Sequence, residues 1–167
     1  RTEWYMTPPT VNAYYDPQMN EMVFPAGILQ PPFYANKTSL AVNFGAIGMV
    51  MGHELTHGFD DEGRKFDAKG NLTEWWSANV GKEFERRATC VEEQFNGYVA
   101  IGDMRVNGKL TLGENIADLG GIKLALAALK SHLAGKNVRT SGKFTPTQQL
   151  FLGYAQAWCG NYRDKAM

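Results

Sequence analysis

Two histidines stand four residues apart, with a glutamate beside the first, in Gly52-His53-Glu54-Leu55-Thr56-His57-Gly58. Side chains at that spacing share one face of a helix, so the imidazoles of His53 and His57 can close on a single metal ion. Glu54 lies about 100° round the helix from His53, within reach of a water at the metal without ligating it. This is the H-E-x-x-H arrangement, and its chemistry is hydrolysis by an activated water. The chain has three histidines, two of them in this motif. Ile47, Val50, Met51 and Leu55 recur around it at helical spacing, so a helix is expected there.

A catalytic zinc takes three protein ligands and keeps one position for water, so a third ligand must come from elsewhere. Asp60 and Gly63 occupy the places where a metzincin carries glycine and histidine. His132, in Lys130-Ser131-His132-Leu133, reads as a solvated residue at a helix end, where cations are favourable. Glu114, in Gly113-Glu114-Asn115-Ile116-Ala117-Asp118, is the better candidate. It is four residues from Asp118, so one carboxylate can bind metal while the other accepts an N–H from a ligating histidine. The same spacing suits a first-turn glutamate complementing the helix dipole, with Asp118 in solvent. Spacing alone leaves both readings open. Asp60, three residues beyond His57, can likewise orient a ligand or cap its own turn. A purely structural zinc site usually takes four ligands with thiolates among them, and both cysteines are far from the histidines in sequence.

Five ordered motifs carry a resemblance. They are Val11-Asn12-Ala13-Tyr14-Tyr15, Val23-Phe24-Pro25-Ala26-Gly27-Ile28-Leu29-Gln30-Pro31-Pro32-Phe33, Gly52-His53-Glu54-Leu55-Thr56-His57-Gly58-Phe59-Asp60-Asp61, Leu112-Gly113-Glu114-Asn115-Ile116-Ala117-Asp118 and Trp158-Cys159-Gly160. Together they resemble the neprilysin family of zinc endopeptidases, which includes endothelin-converting enzyme and bacterial homologues. The resemblance implies His53, His57 and Glu114 as ligands of one Zn2+, Glu54 as general base, and Asp118 as an acid behind the ligands sometimes described as a proton donor. It implies an α+β, mainly helical fold: a thermolysin-like gluzincin catalytic domain with an N-terminal β-hairpin or edge strand and about four main helices.

The expected activity is that of a zinc metalloendopeptidase cleaving small peptides on the amino side of hydrophobic residues. Phe33, Met49, Val50, Ala157 and Trp158 match positions lining the pocket for the residue after the scissile bond. Ala157 stands where neprilysin has a larger aliphatic, which makes for a roomier pocket. Asn12 and Ala13 match an exposed edge that pairs with the substrate backbone, a mode in which backbone hydrogen bonds supply affinity and pockets supply selectivity. Without the resemblance these residues read as core packing and an ordinary hairpin.

The resemblance covers only the C-terminal part of a longer ectodomain. It implies that residues 1–167 form part of a metallopeptidase catalytic domain, with a helical lobe of the same polypeptide closing over the site. It also implies an extracytoplasmic setting, whether secreted, periplasmic or membrane-anchored. A histidine and an arginine that hold transition state and substrate in relatives have no counterpart in these residues. The alternative reading is therefore a non-catalytic zinc-binding or interaction fragment, inert without the missing segments. Cys90 and Cys159 pair in relatives with cysteines outside this stretch, so no bridge between them is expected.

The elements that must position these residues follow from ordinary globular material: 167 residues, 44% hydrophobic, 20% charged, and no formal net charge. Such a chain buries a single core, and its charge offers no case for nucleic acid or an anionic membrane. No apolar stretch is long enough to span a bilayer. Residues 10–24 read as a hairpin around Asp16-Pro17-Gln18-Met19-Asn20, and Ser39 as the cap of the motif helix. Residues 58–72 are turn chemistry. A helix is expected from 77 to about 96, with Val80, Phe84, Val91 and Phe95 on its apolar side. Asn107-Gly108 signals a hairpin. A further helix, from 113 to about 133, carries a stripe of Leu119, Ile122, Leu126, Leu129 and Leu133 that packs on the motif helix and delivers Glu114 to the metal. Gly120 and Gly121 each cost about 1 kcal/mol relative to Ala there, which points to close helix contact. Thr145-Pro146-Thr147-Gln148 is a capping box opening a last helix to about 162.

Overall fold

The structure, a computed structural model, describes residues 3–136 and 143–160. The chain opens with an antiparallel hairpin, β1 (Tyr14–Asp16) paired with β2 (Glu21–Val23), Tyr14 opposite Val23. Asp16 makes its turn, with Oδ1 accepting the N–H groups of Gln18 and Met19, as a short carboxylate does when it competes for local backbone donors. Ser39 then caps α1 (Leu40–Asn43) by accepting the Val42 N–H.

The motif helix departs from the regular winding expected of it. α1 continues through a π-turn, Phe44–Gly48, into α2 (Met49–His57), with every residue at the junctions in helical conformation. Widening the ladder by one residue lets an amide point outward: the Ile47 N–H bonds to the Phe33 carbonyl at 3.0 Å.

α3 (Ala78–Asn96) is capped by Ser77 as its sequence predicts. Ala88 is buried on it, while Phe84, Val91 and Phe95 are half-buried. Val80, expected on the apolar side, is 52% exposed, because it falls in the first turn, beyond the edge of the contact. Arg64 lies over the rings of Trp76 and Phe84, 5.6 and 5.0 Å from their centroids, and so ties the loop after α2 to α3.

The second hairpin forms one turn earlier than expected. β3 (Val99–Ile101) pairs with β4 (Met104–Arg105) around Gly102, whose φ of +57° is a conformation glycine adopts freely. Asn107-Gly108 instead leads into the next helix: Asn107 Oδ1 accepts the Leu110 N–H, and the Gly108 N–H goes to Asn96 Oδ1.

α4 (Leu112–Leu133) makes its most extensive contact with α2. Its buried spine is Ala117, Gly121, Ala125 and Leu129, so Leu129 of the expected stripe lies on it while the other spine positions are small residues. Leu119 is 43% exposed, and Ile122, Leu126 and Leu133 flank the core, half-buried. The reason is proximity. An added Cβ at Gly121 would sit 2.7 Å from the Met49 carbonyl oxygen, and one at Gly52 would sit 2.9 Å from the Gly121 Cα, so only small residues fit the seam and larger ones are displaced to its sides. The close contact expected at Gly120 and Gly121 is present.

α5 (Pro146–Ala157) opens with both halves of the capping box from Thr145 and Gln148. It ends at Ala157, short of the expected 162, with Trp158 out of helical conformation at ψ 7°; residues past 160 lie outside the described ones. Leu150 on α5 joins Ile28, Ala41, Met49, Val50, Ala125 and Leu129 in one core cluster. The architecture is α+β and mainly helical, with four main helical rods and two small hairpins among the described residues. Cys90 and Cys159 are unbridged. Both are exposed. Among the described residues no helix is long and apolar enough to cross a membrane.

Candidate active site

The stripe Val50, His53, Glu54 and His57 runs along the face of α2 that borders a cavity of about 820 Å³. α4 packs on α2 through the glycine seam, and its first two turns bring Glu114 and Asp118 to the imidazoles. His53 Nε2 and His57 Nε2 are 2.9 Å apart. Glu114 Oε2 lies 3.3 Å from the first and 3.7 Å from the second. These three residues form the group able to hold a metal among the described residues.

The outer nitrogens are fixed by carboxylates. His53 Nδ1 donates to Asp118 Oδ1 at 2.8 Å and His57 Nδ1 donates to Asp60 Oδ2 at 2.7 Å. Since a carboxylate only accepts, each ring carries its proton on Nδ1 and directs Nε2 inward. Asp60 fills both roles open to it: its other oxygen, Oδ1, accepts the N–H groups of Glu62 and Gly63 and so caps its own turn.

The donor set fits a divalent cation such as zinc. Two imidazole nitrogens on one tetrahedral zinc stand about 3.3 Å apart, close to the separation here. Four carboxylates, Glu54, Asp60, Glu114 and Asp118, surround two imidazoles, so a positive charge is required for balance. In the metal-free chain a proton supplies it. Burial opposes charging His53, but hydrogen bonds to Asp118 and Glu114 outweigh burial and raise its pKa to about 9. The His53 hydrogen bond holds Glu114 below the ordinary carboxylate range, against burial. For Asp60, burial is outweighed by its bonds from His57, Gly63 and Glu62, so it too is lowered. Burial raises Glu54, which is 5% exposed, against the pull of both histidines.

A stability consequence follows for the metal-free protein. The folded pKa of His53 lies above its unfolded value of 6.5, so its contribution is complete below pH 6.5 and lost as pH rises through about 9, on the order of 3 kcal/mol. Chelator-treated protein is therefore expected to melt at lower temperature at pH 9.5 than at pH 6.5. A melting temperature flat across that range would contradict the charged His53.

A model of peptidase family M13 matches residues 12–167. The chain belongs to peptidase family M13. It is 52% identical over 163 residues to human endothelin-converting enzyme 1, covering 95% of this chain and 21% of that protein. It is 47% identical over 169 residues to neprilysin-11 of Caenorhabditis elegans, covering 98% and 20%. A crystal structure of the Mycobacterium tuberculosis zinc metalloprotease Zmp1 in complex with an inhibitor superposes with a TM-score of 0.91 at 48% identity, covering 95% of this chain and 25% of that one. The chain thus spans about a fifth of the length of the curated relatives it matches.

In this M13 chain the remaining site residues distribute as follows. Asn12, Ala13, Phe33, Val50 and Trp158 line the cavity with the histidines. Met49 does not: it is fully buried in the core, on the side of α2 turned to α4 and α5. Ala157 is half-buried and is not part of the lining. Asn12 and Ala13 precede β1 rather than belonging to it, and Asn12 Oδ1 accepts the Ala13 N–H. Sequence reasoning gave no site role to Val11, Tyr14, Tyr15, Pro17, Ile28, Glu62 and Gly63 on the cavity wall. Val11, Tyr14 and Tyr15 carried a usable signal, since they belong to the motif Val11-Asn12-Ala13-Tyr14-Tyr15; Glu62 and Gly63 reach the wall only through the Asp60 turn, which no spacing announces.

Proposed function

We propose that this chain carries the catalytic centre of a zinc metalloendopeptidase that hydrolyses small peptides on the amino side of hydrophobic residues. The observation that carries the reading is the convergence of His53, His57 and Glu114, with each imidazole backed by a carboxylate, on the wall of a cavity that Glu54 also lines. Family membership and the identity to enzymes named for peptide cleavage support it. The extracytoplasmic setting and the closing lobe of the same polypeptide belong to this proposal as well.

His53, His57 and Glu114 would hold the metal at the cavity wall. When bound, zinc supplies Lewis acidity that brings the pKa of a water toward about 7. Glu54, on the cavity wall beside that group, would accept a proton from water as the water oxygen adds to the peptide carbonyl and would return it to the leaving amine as the C–N bond breaks. The burial that raises the Glu54 pKa suits it to this exchange. Asp118 and Asp60 keep the histidine protons on Nδ1. Asn12 and Ala13 lie where an extended peptide can pair along the cleft, and Phe33, Val50 and Trp158 offer an apolar wall to the residue after the bond.

The test is hydrolysis of an internally quenched peptide with a Gly-Phe bond. Activity that disappears on treatment with a zinc chelator and returns with one equivalent of Zn2+ is the expected result. A chain that binds zinc in equimolar amount and cleaves nothing would favour the competing reading, a zinc-binding fragment inert on its own.

A further inference from the structure

The apolar wall stands on a segment outside any regular element, residues 33–35, and three hydrogen bonds fasten that segment to the start of the motif helix. Asn43, the last residue of α1, uses both ends of its side-chain amide on Ala35: Oδ1 accepts the Ala35 N–H at 3.2 Å and Nδ2 donates to the Ala35 carbonyl at 3.0 Å. The π-turn supplies the third, from the Ile47 N–H to the Phe33 carbonyl. The Asn43 side chain therefore does what a neighbouring strand would do, in a place where none runs. Phe33, held from both sides, stands edge-on to Trp158 with ring centroids 6.4 Å apart and planes at 88°. Both rings line the cavity beside Val50, two residues beyond the π-turn.

We infer that Asn43, acting with the π-turn, is a positioning residue that holds Phe33 against Trp158 and so sets the preference for a large apolar side chain after the scissile bond. This rests on the peptidase reading and deepens it. Asn43 touches no substrate in this scheme. It acts through the placement of the 33–35 backbone, which its one side-chain amide holds by two bonds. Aspartate at this position keeps the acceptor for the Ala35 N–H and loses the donor to the Ala35 carbonyl. Leucine loses both.

The experiment compares wild type, Asn43→Asp and Asn43→Leu, each zinc-loaded, on two quenched peptides that differ only in Phe or Ala after the cleaved bond. Apolar pockets discriminate such side chains by roughly 10- to 200-fold. The expected result is an about tenfold loss of kcat/KM on the Phe peptide, carried by KM, with the Ala peptide changed by less than about twofold. Zinc content stays at one equivalent, and amide exchange at Ala35, read by NMR, accelerates in Asn43→Leu and stays near the wild-type rate in Asn43→Asp, which keeps the acceptor for that N–H. If Asn43→Leu does not fold, Asn43→Asp alone carries the comparison. Equal losses on both peptides, or no loss on either, would overturn the inference while leaving the peptidase reading intact. A wild type that cleaves neither peptide would overturn both.

Discussion

Glu54→Gln is expected to leave one zinc per chain and to lower peptide hydrolysis by about 10²- to 10⁴-fold, the range a positioned general base supplies. Glutamine keeps the size of the side chain and its place on the cavity wall, and it removes only the capacity to hold a proton. The ligand atoms are untouched, since the metal-holding group is His53, His57 and Glu114. The fold does not suffer either. Burial raises the Glu54 pKa in the folded chain, which means that the ionised form is the less comfortable one there, and a neutral isostere leaves stability at neutral pH equal or higher. Metal content by atomic spectroscopy, melting temperature and kcat on one peptide check the three parts together. Full activity in this variant would remove Glu54 from the chemistry. Loss of zinc would instead assign it to holding the metal site together.

The centre of the site was legible because its determinants are local or chemically singular. His53, Glu54 and His57 lie within one helical turn and a half, so their spacing states their geometry. Glu114 and Asp118 needed a second element, and their four-residue spacing offered two readings between which only tertiary contact decides. Asp60 was legible as two alternatives, and the structure uses both oxygens, one for each. What stayed hidden depends on packing distance. The π-turn carries no periodic signature, because Ile47, Val50 and Met51 read as helical with or without one extra residue in the ladder. The leucine stripe assigned to α4 followed from treating large apolar residues as the seam; Leu129 of that stripe is buried, but the seam against α2 is built of Ala117, Gly121 and Ala125. Asn107-Gly108 carried a strong hairpin signal, yet Gly102 had already turned the chain, leaving the asparagine free to lead into α4.

That seam gives the second large effect. Gly121→Ala is expected to destabilise the chain by about 1–3 kcal/mol, the usual consequence of overfilling a packed contact, and to weaken zinc binding as well. The new Cβ would lie 2.7 Å from the Met49 carbonyl oxygen, 2.9 Å from the His53 nitrogen and 3.2 Å from the His53 Cα. All three are backbone atoms, so no rotamer change relieves them and α4 has to move off α2. Asp118 lies three residues before Gly121 and Glu114 seven, so that movement lengthens the bond from His53 to Asp118 and draws Glu114 from the imidazoles. Disturbing such a supporting carboxylate costs about 10- to 100-fold in metal affinity. Gly81→Ala provides the contrast. It lies inside α3, where an added Cβ meets only one Arg64 terminal nitrogen, at 3.9 Å, and the same substitution there gains about 0.5–1 kcal/mol from helix propensity. Melting temperatures that move in opposite directions, with zinc affinity falling in Gly121→Ala alone, would tie the metal centre to helix separation. If Gly121→Ala lost stability yet kept its zinc affinity, the carboxylates of α4 would be adaptable to a shifted helix, and the seam would serve the fold without setting the site.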